Sequence, residues 1–359
     1  MGRFLIYFSY IGSKYSGVQK SGLPSYLKYG KAYSPHTVVG VIEDALNIFK
    51  PANDFKVVTS SRTDAGVHSL CNTVHCDLIH PDEPDVEFDP DLLCRGLNAF
   101  FHHAEEPIRA LKVRRVPDDF HSRFDAISRT YVYKLAVLHD NSLHGQWTHP
   151  FTPFDYMSSH IVFPPFDPEK AKAALAVLNG RHNFYAFSTK RNVQPWQSRV
   201  KNLRTYFQYG SLFMEEYNRL GRDKHVNIDL IFNGSSFLYR QVRKMVCAVL
   251  NVARGYFSLD ELKMSLKKPH MYQGHHMITS CPAHGLYLID VEYDENKLRY
   301  ERPSQIKTDP ILTLPEWEDD PSAMYKKYDE LPYTPDTTPQ MEERERENHI
   351  TQSSAEKKS

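Results

Sequence analysis

Three tryptophans, five cysteines and no net charge are the sparse features of this 359-residue chain. Cys71, Cys76, Cys94, Cys247 and Cys281 are odd in number, scattered and without a CxxC pair, which excludes the disulfide framework of a small secreted domain and fits a reducing compartment. No apolar run approaches the ~18 residues a membrane helix needs, so no membrane partner is expected. "MGRFLIYFSY" passes from one Arg straight into alternating apolar residues, with neither a signal peptide nor an Arg/Ser-rich leader behind it. An intracellular setting follows, and mitochondrion, cytoplasm and nucleus all fit it. GxGxxG, Walker and HExxH patterns are missing, so no cofactor is expected.

The zero balance hides an asymmetry. Residues 301–359 hold 8 Lys+Arg against 14 Asp+Glu, and the remaining 300 residues hold 36 against 30. A basic body with an acidic tail permits a phosphate-rich partner without requiring one. The tail, rich in Pro, Glu and Lys, reads as disordered.

Hydrophobic periodicity places strands at 3–10, 54–61, 72–78 and 108–116, with helices after His36 and after Asp89. That order, β-α-β-β-α-β, is the ferredoxin-like unit. It recurs with strands at 128–138, near 200–209, at 225–232 and at 285–293, and helices at 167–180 and over "SFLYRQVRKMVCAVLNVARG". An extra helix opens at Ser258 with a Ser-x-x-Glu capping box. The expected fold is α+β: two tandem ferredoxin-like (βαββαβ) units, residues 1–120 and 121–300. They would form a continuous, mostly antiparallel sheet with helices on one face and a central cleft. Segments 21–35, 211–222 and parts of 139–165 read as inserted loops.

Several stretches offer chemistry. In "SSRTDAGVHSL" (60–70) Asp64 falls in a loop between two strands, with Arg62 two residues earlier. Asp-Ala-Gly alone is turn punctuation, but loops on rigid scaffolds also display functional groups. A carboxylate acting as nucleophile must stay ionised, which a nearby guanidinium favours. "FLYRQVRKMV" (237–246) supplies such a group in Arg243 on the edge of an apolar helix face. From spacing alone, a solvated basic face of Arg240, Arg243 and Lys244 is the favoured reading. Tyr131 and Tyr133 in "RTYVY" share one strand facing, and either ring could stack on a base; both are also ordinary strand formers. "HSLCNTVHC" (68–76) suggests a metal site, but strand alternation sends His75 and Cys76 to opposite faces, so no metal is expected. Asp118 or Asp119 paired with Asp64 would give a glycosidase-like carboxylate pair, which nothing in the spacing favours.

Taken in order, "YIGSKYSGVQ", "SSRTDAGVHSL", "VPDDFHSRFDAISRTYVYKL", "FLYRQVRKMV" and "CPAHGLYLIDVEY" resemble the motifs of the TruA family of tRNA pseudouridine synthases, from about residue 3 to 293 and nearest to its animal branch. The resemblance implies a cofactor-independent isomerase acting on tRNA, converting a specific uridine in the anticodon stem-loop region to pseudouridine, and a homodimer. It implies Asp64 as the catalytic aspartate, Tyr131 as the ring on the target uracil and Arg243 as the partner of Asp64. It further implies Arg62 in nucleotide flipping and Leu286 or Leu288 as pocket wall. The chain departs from the family at Val18, where many members have Trp, at the 21–35 insertion, and at "SRVKNLRTY" (198–206) in place of Arg-Thr-Pro-Trp. These departures bear on which uridine is chosen. A catalytically inactive tRNA-binding or folding factor is the competing expectation, and a glycoside-cleaving enzyme releasing free uracil is a third.

Overall fold

The computed structural model describes residues 1–19, 36–83, 85–138, 151, 153–189, 200–209, 225–301 and 307–309. The segments 21–35 and 211–222, and most of the acidic tail, lie outside them. All the described residues fall in one compact unit, Met1–Pro315.

The first part of the chain builds β1 (Gly2–Tyr10), α1 (Val38–Asn47), β2 (Val58–Thr59), β3 (His68–Leu78), β4 (Val86–Phe88), α2 (Pro90–His103) and β5 (Ile108–Val116). Asp89 caps α2 through hydrogen bonds from the Asp91 and Leu92 amides, and Pro90 occupies the first turn where its missing N–H costs nothing. Next come β6 (Ala126–Leu138), α3 (Pro153–Ser158), β7 (His160–Val162), α4 (Pro168–Leu178), β8 (Gly180–Asn183) and β9 (Val200–Tyr209). The chain then forms β10 (His225–Gly234), α5 (Gln241–Ala253), α6 (Leu259–Lys267), β11 (Leu286–Tyr293) and α7 (Glu295–Leu298). The capping box at Ser258 is present in both directions.

Ten strands form one open, mixed sheet in the order β5-β1-β3-β11-β6-β10-β9-β8, with β2 beside β3 and β7 beside β6. Pairing is antiparallel except at β6–β7 and at the β3–β11 join, where Tyr287 lies opposite His68 and Leu288 opposite Ser69. The join is short, and side chains reinforce it. Ser69 Oγ donates to Leu288 O at 3.0 Å, and the His68 and Tyr287 rings stack at 4.7 Å.

Alternation along β6 decides what each face does. Tyr131, Tyr133, Leu135 and Val137 enter the largest core with α4, α5, α6, β10 and β11. Fully buried Phe184, Phe187 and Phe232 lie in the same core, each contributing about 1.5–3 kcal/mol of transfer free energy. The other face is not bare: Ala136 and Leu138 pack on Phe151, and Leu298 of α7 joins Leu5, Val116 and Phe120. Within 139–165, parts of which read as inserted loop, α3 and β7 occupy 153–158 and 160–162, while 139–150 and 152 lie outside the described residues. Among the described residues no helix is long and apolar enough to cross a membrane.

Candidate active site

Asp64 sits in the loop between β2 and β3, and the loop is built from below. Thr59 Oγ1 donates to Ser61 O at 2.9 Å and Asn72 Nδ2 to Ser61 O at 3.3 Å. Thr63 Oγ1 meets the Tyr10 hydroxyl at 2.7 Å. Val67 N–H closes the turn on Asp64 O at 3.2 Å, and its side chain is anchored in the main core. From the side, Val18 N–H donates to Thr63 O, while Val38 and Val39 at the start of α1 donate to Gly17 O and Val18 O. Gly17 adopts φ +117° with Thr63 O only 3.2 Å from where a Cβ would stand, so a larger residue there would push on the aspartate loop. Val18 is fully buried, a core residue beside the aspartate loop.

Arg243 comes from the first turn of α5. Its Nη1 donates to Asp64 Oδ2 at 3.0 Å, and its Nε to Cys281 O at 2.6 Å. Cys281 N–H donates back to Arg243 O. The side chains of the pair keep only 10% and 15% of their surface. The basic face favoured by spacing alone is therefore overturned: Arg243 and Lys244 are both buried, and Lys244 Nζ donates to Ser188 O at 2.9 Å. The face is closed by segments distant in sequence, which periodicity cannot see. Helix α5 also begins at Gln241 rather than Ser236, because Arg240 takes a left-handed φ of 59°. Gln241 Oε1 accepts from Leu238 N–H and secures the turn.

Tyr131 is 8% exposed and touches Phe237 edge-on at 5.1 Å. Burial pushes its phenol up to about 12; Arg129 pulls it down and Asp64 pushes it up, so all three groups share one electrostatic neighbourhood. Tyr133 is fully buried, and its hydroxyl donates to Pro282 O at 2.8 Å. Only Tyr131, of the two, keeps an opening. Arg62 is exposed, and no partner for it is found among the described residues. Leu288 lies opposite Tyr131 and Leu286 opposite Tyr133 in the β11–β6 register, both buried in the core.

Arg129 escaped the sequence reading. It is 7% exposed and donates to four carbonyls: Nη1 to Ala126 O and Ser235 O, Nη2 to Ser60 O and Arg123 O, at 2.6–3.2 Å. One guanidinium thus ties the base of the aspartate loop to the 121–125 and 235–240 loops. Its only signal was position, two residues before Tyr131.

The remaining candidates are spoken for. Asp118 turns to Arg115 at 2.9 Å, not toward a carboxylate partner. His75 Nδ1 lies 2.8 Å from Ser122 Oγ. Among the described residues no group of three His, Cys, Asp or Glu is placed to hold a metal ion.

A buried arginine thus grips a loop aspartate beside a tyrosine that keeps 8% of its surface. The family model described as tRNA pseudouridine synthase matches residues 174–294. The tRNA pseudouridine synthase-like 1 of Xenopus laevis is 33% identical over 303 residues, covering 82% of this chain and 93% of that protein. Its human counterpart is 31% identical over 307 residues, covering 81% and 90%. The tRNA pseudouridine synthase A of Thermus thermophilus is 32% identical, covering 83% of this chain and 99% of its own length. The chain belongs to the TruA family of tRNA pseudouridine synthases, which are isomerases.

Proposed function

We propose that this chain converts a uridine of tRNA, in the anticodon stem-loop region, to pseudouridine, with Asp64 as the catalytic carboxylate. The observation that carries the reading is the Arg243–Asp64 contact of 3.0 Å in a loop tied down on several sides. The reaction breaks N1–C1′, turns the uracil and forms C5–C1′; the proton lost from C5 is balanced by one gained at N1, so no cofactor is consumed. Asp64 supplies negative charge at C1′ as the glycosidic bond opens, and Arg243 fixes which oxygen faces the sugar. The target must leave the base stack to reach it. Tyr131 lies under the extruded uracil and takes part in moving the C5 proton. Arg62, exposed two residues before Asp64, holds the flipped-out state, and Leu286 and Leu288 back the tyrosine from β11. Likeness to the family also supports a homodimer and a reading of residues 1–120 and 121–300 as tandem ferredoxin-like halves.

The test compares wild-type protein with Asp64→Asn on tRNA transcripts carrying tritium at uracil C5. Tritium release by wild type alone, with pseudouridine mapped to one position, supports the isomerase. Tight binding by both proteins without release from any tRNA would replace it with a catalytically inactive tRNA-binding factor. Free uracil would point to glycoside cleavage.

A further inference from the structure

Arg129 holds two loops as well as the aspartate loop, and each presents an exposed aromatic ring with an arginine beside it. On the first, Phe124 is 75% exposed, with the Arg123 guanidinium 5.7 Å from its ring centroid and the His121 ring at 4.3 Å. On the second, Tyr239 is 55% exposed, with the Arg240 guanidinium 5.1 Å from its centroid.

Isolated exposed apolar residues are ordinary, so the setting must carry the argument. Neither ring rides on a loose tip. The 121–125 loop is closed by His121 N–H on Asp125 Oδ2 at 2.7 Å, by Phe124 and Asp125 N–H on His121 O, and by Lys297 on Asp125 Oδ1. The 235–240 loop is pinned by Ser235 O on Arg129, Phe237 on Tyr131 and Leu238 N–H on Gln241. Arg240 holds a left-handed φ of 59°, a strained choice for a non-glycine residue. Its Nε is buried with no hydrogen-bond partner among the described residues. Rigid rings beside guanidinium groups that make no ion pair among the described residues, all tied to one arginine near Asp64, match the chemistry of looped RNA: flat bases to stack and phosphates to pair.

We infer that the Arg123–Phe124 and Tyr239–Arg240 pairs form a two-loop clamp on the nucleotides adjoining the target uridine, each ring stacking on a base and each guanidinium meeting a phosphate. The inference rests on the proposed action on tRNA but is tested by binding alone.

The experiment measures equilibrium Kd for fluorescently labelled tRNA transcript at several salt concentrations. Phe124→Ala and Tyr239→Ala each raise Kd at least about fivefold, Phe124→Tyr and Tyr239→Phe restore it, and Phe124→Leu and Tyr239→Leu do not. Arg123→Gln and Arg240→Gln each lower the slope of log Kd against log salt by about one. Unfolding midpoints establish that every variant is folded. Alanine variants within twofold of wild type, or leucine as effective as an aromatic ring, would overturn the clamp. These binding losses in the variants, together with a wild-type protein that makes no pseudouridine, would remove the catalytic reading and leave the clamp standing.

Discussion

Arg243 divides its guanidinium between two acceptors, Asp64 Oδ2 at 3.0 Å and the Cys281 carbonyl at 2.6 Å. The carbonyl holds Nε and sets the plane of the fork, and Nη1 then aims at the carboxylate. Lysine has a single charged atom and cannot do both. Arg243→Lys should cut single-turnover pseudouridine formation by about 10²-fold, and Asp64→Asn by on the order of 10³-fold or more. The double variant should lose little beyond Asp64→Asn, because the two residues act as a unit. Multiplying losses would show that they work independently.

Tyr131 is a neutral phenol at ordinary pH, since burial pushes it up to about 12. Its ring and its hydroxyl therefore separate by substitution. Tyr131→Phe should keep tRNA affinity within about threefold of wild type, because the stacking face is unchanged, while turnover becomes limited by loss of the C5 proton. Deuterium at C5 should then slow Tyr131→Phe and leave wild type nearly unaffected. Equal isotope effects in both proteins would remove the hydroxyl from that step.

Arg129 satisfies four carbonyls at once. Arg129→Met would strand them in a water-poor site, at a cost of about 3 kcal/mol or more in urea unfolding. Arg129→Lys, with three donors on one atom, should recover part of that loss. Stability unchanged in Arg129→Met would mean the loops hold one another without it.

Buried histidines give the fold an acid limit, His68 and His75 among them. Burial holds His68 and His75 down to about 4. His68 Nδ1 accepts from Gly12 N–H at 3.1 Å, so protonating it would destroy that bond. Unfolded histidine titrates near 6.5, and between that value and about 4 the unfolded chain binds more protons than the folded one. Stability is therefore complete above pH 6.5 and declines as pH falls toward 4. The thermal midpoint should drop by several degrees between pH 7 and pH 5, less in His68→Gln. A midpoint flat over that range would place both imidazoles in contact with water.

Much of this architecture is legible in the sequence because strand alternation and capping are local. The Asp89-Pro90 start and the Ser258 capping box behave as written. Boundaries moved where side chains compete with the backbone. Strand β2 shrinks to Val58–Thr59 as Thr59, Ser60 and Asn72 side chains take up the loop. Strand β3 begins at His68 instead of residue 72, drawn out by pairing with β1 and β11. The site was legible only in part. Asp64 and Tyr131 stand in recognisable strings, but burial of Arg243 depends on Cys281, 38 positions away. Arg129 was hidden because its partners are carbonyls, which every residue has and no pattern reveals.

The β3–β11 join rests on two residue pairs, and Asp64 meets Arg243 across 179 positions of chain. A growing polypeptide therefore carries Asp64 through 179 further positions before its arginine partner is made. Only after Leu288 leaves the ribosome can the sheet close and the arginine be fixed in place. Any product cut short before that point would carry Asp64 in its loop without Arg243 fixed beside it.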